Sequence, residues 1–80
     1  MEIKIDDQGN RYIEQDRPGN DKTVIAYIPD QKWAKKDVVS MRIRKANGKL
    51  QFGVEVPIDD VPEFVAAIVQ LLSERADTRE

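Results

Sequence analysis

Eighty residues, 40 % of them hydrophobic and 35 % charged, suit one water-soluble globular domain and are too few for two cores. No cysteine or histidine occurs, which removes disulfides, thiolate metal sites and the commonest general base, and no apolar run reaches the roughly 18 residues of a membrane span. The net charge of −2 is unevenly spread: residues 32–49 carry seven bases (Lys32, Lys35, Lys36, Arg42, Arg44, Lys45, Lys49) against Asp37, while acids outnumber bases on either side. Such a basic segment is either a solvated hairpin or the footprint of a polyanion.

In chain order, Ile3 and Ile5 alternate with polar residues as a short strand does, and the cluster Asp6-Asp7-Gln8-Gly9-Asn10 ends it. The opening residues lack the basic and apolar segments of a secretory signal, so a cytoplasmic location is expected. Residues 11–15 can return as a strand, and Pro18-Gly19 centres the clearest loop. Residues 23–28 are β-branched and aromatic and predict a well-buried strand, bounded by Pro29-Asp30. Trp33, the only tryptophan, follows among Lys32, Lys35 and Lys36.

Residues 38–45 and 50–56 flank Asn47-Gly48, the strongest short hairpin signal. A two-residue turn there would pair Val39 with Val56, Met41 with Val54 and Ile43 with Phe52 on one apolar face. Ser40 with Glu55, Arg42 with Gly53 and Arg44 with Gln51 would then share the other face. Beyond the hairpin, Asp60 and Glu63 resemble a capping box, with Pro62 in the first helical turn. On a helical wheel Val61, Phe64, Val65, Ile68, Val69, Leu71 and Leu72 fill an arc of about 160°, wider than the roughly 100° that one sheet needs. The surplus predicts contact with a second copy across a two-fold axis. Residues 1–75 thus form one domain, and residues 76–80 a polar tail.

Enzyme chemistry finds no support. Ser40, Ser73, Thr23 and Thr78 have no histidine to activate them, and Gly9, Gly19, Gly48 and Gly53 form no phosphate loop. Asp6-Asp7 and Asp59-Asp60 read as turn and helix-start residues rather than metal ligands. No cofactor, metal, small-molecule substrate or membrane association is expected. The basic face of the hairpin is the candidate site: Arg42 and Arg44 project together, Lys45, Lys49 and Gln51 lie near the tip, and Trp33, Lys35 and Lys36 precede it. Guanidinium and ammonium groups suit phosphates, and flat rings suit unpaired bases. Each residue also has a plainer role: Trp33 can cover the edge of the core, Gly53 can mark a bulge, and Arg42 can pair with Glu55. Phe52 and Phe64 are assigned to the core.

The hairpin at residues 38–56, running through Val56-Pro57-Ile58 into a helix with Glu63-Phe64 one turn in, resembles the repeat of the Pur (purine-rich-element-binding) family and its Whirly and positive-cofactor relatives. The resemblance covers roughly residues 38–74. It implies an antiparallel sheet of about four strands followed by one helix, single-stranded DNA or RNA bound on the sheet, and two such units packed through their helices. For one unit per chain that means a homodimer. The expectation is therefore an α+β protein with four to five antiparallel strands and one C-terminal helix. It would bind single strands with low sequence specificity through Trp33, Lys35, Lys36, Arg42, Arg44, Lys45, Lys49 and Gln51. The competing expectation is a protein–protein module whose basic hairpin docks an acidic partner.

Overall fold

The computed structural model describes residues 1–78. Five antiparallel strands follow one another as a meander: β1 (Lys4–Ile5), β2 (Arg11–Asp16), β3 (Lys22–Gln31), β4 (Lys36–Arg44) and β5 (Val54–Pro57). One helix, α1 (Val61–Thr78), completes the α+β arrangement. The N-terminal residues join the sheet, although β1 pairs only Lys4 with Tyr12 and Ile5 with Arg11. No described helix is long and apolar enough to cross a membrane.

Alternation sorts the sheet into two unlike faces. One carries the cross-strand row Ile13–Ile25–Met41–Val54, with Val39 opposite Val56 beside it. The other carries Lys4–Tyr12–Ala26–Ser40–Glu55, then Glu14–Val24–Arg42, then Asp16–Lys22–Arg44. Among the described residues, full burial is confined to Val24, Val38 and Ser40 on the charged face and Val56 on the apolar one. The expectation of a well-buried strand at residues 23–28 holds for Val24 alone, and Tyr27 is exposed. β3 continues through Pro29 to Gln31, with an irregularity after Ile28 and Asp30 at φ 52°.

The β4–β5 hairpin follows the expected register at its base and departs from it at its tip. Val39 faces Val56, Ser40 faces Glu55 and Met41 faces Val54, as the hydrophobic pattern requires. Toward the turn, Arg44 lies opposite Leu50, Gln51 N–H donates to Ile43 O (2.9 Å), and Lys45 N–H donates to Lys49 O (2.8 Å). The turn therefore has three residues, 46–48, with Gly48 at φ 91°, instead of two. The one-residue difference is absorbed where Phe52 and Gly53 together oppose Arg42, a β-bulge. A Cβ on Gly53 would lie 1.7 Å from the Met41 carbonyl oxygen, so only glycine admits this approach. Phe52, expected to face Ile43 in the core, stands wholly in solvent.

The chain enters α1 through a 3-10 turn, Ile58–Asp60, in which Val61 N–H donates to Ile58 O, and the capping box expected at Asp60 gives way to it. Residues 76–78 of the expected tail continue the helix. Val61 and Phe64 are half-buried, while Val65, Ile68, Val69, Leu71 and Leu72 are exposed, Leu71 to 67 %. The apolar stripe is thus uncovered beyond its first turn. The radius of gyration is 14.6 Å, against about 12 Å for a compact 80-residue domain.

Candidate nucleic-acid interface

The charged face holds an open groove of about 360 Å³, floored by Val24, Ala26, Ser40, Arg42 and Arg44. Tyr12 and Glu14 line it from β2, Leu50 from beyond the hairpin tip, and Asp6 and Asp7 from the β1–β2 turn. Arg42 and Arg44 share this face because they are two residues apart on one strand, as expected. They do not stand alone: Arg42 lies 3.7 Å from Glu55, and Arg44 Nε lies 3.4 Å from Glu14. The Arg44 Nε–H is buried and has no hydrogen-bond acceptor. Lys4 Nζ donates to Glu14 Oε1 (2.9 Å); this bond holds the Glu14 carboxyl below its ordinary range and raises Lys4.

Glu55 organises the β5 side of the groove. It accepts hydrogen bonds from Trp33 Nε1 and, at 3.0 and 2.8 Å, from Gln31 Nε2. These bonds, Trp33 first, keep its carboxyl below the usual range against the opposing effect of burial. Trp33 sits in the β3–β4 turn, 60 % exposed, so its ring is outside the core while its N–H is anchored. Lys35 adopts φ 56° in the same turn, and its N–H donates to Gln31 O at 2.8 Å.

The remaining expected residues divide between paired and open. Lys36 bonds Asp59 at 2.6 Å, which raises its pKa. Lys45 bonds Asp21 at 2.9 Å, and Asp21 also accepts the Ala46 N–H, tying the β4–β5 tip to the β2–β3 loop. Among the described residues, the Lys32, Lys35 and Lys49 side chains make no ion pair, and Gln51 is exposed beside the bulge. The groove brings together Arg42, Arg44 and, through Glu55, Trp33. Lys35 and Lys36 lie at the β3–β4 end of the sheet, and Lys45 and Lys49 at the opposite end.

Sequence reasoning missed two participants. Glu14 meets Arg44 only through the register of β2 on β3 and of β3 on β4, which no turn motif announces. The Asp6-Asp7 turn reaches the groove because Asp6 Oδ1 accepts the N–H groups of Gln8 (2.9 Å) and Asn10 (2.8 Å), which fixes the turn. Phe52, expected in the core, instead stands exposed at the bulge, and Gly53 inside a strand pattern was the signal that pointed to it. No protein-family model, curated protein or solved structure matches this chain.

Proposed function

We propose that this chain binds single-stranded nucleic acid, DNA or RNA, with low sequence specificity, as a homodimer joined through α1. The observation that carries the reading is the open groove with Arg42 and Arg44 on its floor and the exposed ring of Trp33 beside it. A guanidinium has five N–H donors in a fixed fork, so one carboxylate at 3.4–3.7 Å leaves donors for phosphate oxygens. Trp33 is exposed, so its ring face is open for stacking, while its N–H bond to Glu55 holds the ring in place. Lys35 and Lys49 add unpaired charge at the two ends of the sheet, and the likeness to the Pur repeat points the same way. Phosphate contacts and stacking carry little base information, hence the low specificity. The acids lining the groove set a modest affinity that falls steeply with salt.

The test is Trp33 fluorescence during titration with an oligothymidine of about twenty nucleotides, at several salt concentrations, with duplex as control. Quenching on the single strand alone, with a steep salt slope, is expected. Arg42→Ala with Arg44→Ala should weaken binding and flatten the salt slope by about 1.4, the share of two phosphate contacts on a single strand. Unchanged affinity in that double variant removes the groove from the reading.

The unburied stripe of α1 favours a second reading, an interaction module for another protein. A monomeric mass in solution together with no oligonucleotide binding would select it.

A further inference from the structure

Phe52 is 101 % exposed, and no feature of the single chain accounts for leaving a benzyl group in water. Two observations define where it stands. Leu50 lies opposite Arg44 and lines the groove, and Gln51 is bonded to Ile43 of the other face, so alternation brings Phe52 back to the groove side. The bulge then sets Phe52 and Gly53 together against Arg42, and the approach of Gly53 to the Met41 carbonyl admits no side chain. The backbone here is shaped around an outward-facing ring, a recurrent use of bulges beside functional surfaces. Trp33 is anchored to Glu55, three residues further along the same edge, or about 10 Å at the rise of an extended chain.

We propose that Phe52 is a second base-stacking platform, so that Phe52 and Trp33 hold two bases of one single strand while Arg42, between them, holds the intervening phosphate. The inference rests on the single-strand reading above and adds to it a minimum ligand of two nucleotides, the two stacked bases and the phosphate that joins them. A base is a better occupant than a second copy of the chain. Phe52 shares its face with arginines, whereas the apolar row Ile13, Ile25, Met41 and Val54 lies on the opposite face.

The experiment compares wild type, Phe52→Ala and Phe52→Trp by fluorescence anisotropy of a labelled twenty-nucleotide oligothymidine, with thermal melting and sedimentation of each free protein. Phe52→Ala should weaken binding roughly 5- to 100-fold, the share of one stacked base, and Phe52→Trp should restore it. Melting and sedimentation should match wild type in both, because no contact within the chain is lost. Wild-type affinity in Phe52→Ala overturns the proposal while leaving the single-strand reading intact. A lower melting temperature or smaller mass in Phe52→Ala also overturns it, by making the ring an interface residue between copies. If wild type itself binds no oligonucleotide, the single-strand reading fails and the Phe52 proposal fails with it.

Discussion

Glu55 shows how much one carboxylate can organise on an open sheet. It accepts from Trp33 and Gln31 and faces Arg42, so the position of the indole and the charge of the groove depend on the same group. Because these bonds favour the ionised form, its folded pKa lies below the unfolded value. The stabilisation is therefore complete above the ordinary glutamate pKa of about 4.3 and is lost as pH falls through the lower, folded value. Trp33 emission in the free protein should stay constant at neutral and mildly acidic pH and shift only at a pH below the ordinary glutamate value. Glu55→Gln should abolish that step; a step that survives would assign it to another carboxylate. Glu14, Asp16, Asp21 and Asp37 are also lowered, by bonds to Lys4, Lys22, Lys45 and Tyr27, so acid unfolding follows the same sign.

At the scale of elements the β4–β5 hairpin is decisive, and its weakest point to substitution is Gly53. A methyl group 1.7 Å from a backbone oxygen cannot be accommodated without separating the strands. Gly53→Ala should destabilise the fold by about 3 kcal/mol, as overpacking does, read as a lower urea midpoint. The same hairpin shows what was legible beforehand. The valine and methionine pairs at its base follow from alternation, and Arg42 and Arg44 share a face in any register. The two-residue turn expected at Asn47-Gly48 was wrong because that pair suits equally a three-residue loop that ends with glycine at positive φ. The hydrophobic pattern does not break the tie, since Phe52 fits a core position in one register and a bulge in the other. The Arg42–Glu55 pair was legible from the hairpin, whereas Glu14, the partner of Arg44, was not: it comes from β2, whose place is set by a five-residue loop and a tight polar turn, neither with a register of its own. Element types were readable throughout, whereas the burial of α1 was not, because a wide apolar arc states a need for a partner without saying where it lies.

The whole molecule exposes 6530 Å², about a third more than the 4,900 Å² typical of a monomer of 9.2 kDa. The surplus, about 1,600 Å², is roughly twice the 800 Å² or so that one partner buries in a standard interface. It includes the stripe of Val65, Ile68, Val69, Leu71 and Leu72. Wild type should therefore sediment at twice the chain mass, with a melting temperature that rises with protein concentration. Leu71→Lys should shift it to the monomer and remove that concentration dependence. A wild-type monomer that melts cooperatively at any concentration would assign the stripe to a different protein.

The order of the strands has a further consequence. Each pairs with the one before it, from β1 to β5, so no hydrogen bond of the sheet waits for a distant part of the chain. During synthesis the sheet can close strand by strand as it leaves the ribosome, at the rates of local hairpins. The helix is made after the sheet, and its apolar side is complete only once the groove already exists. For the homodimer proposed above, joining of copies would then be a bimolecular step that follows folding of the sheet.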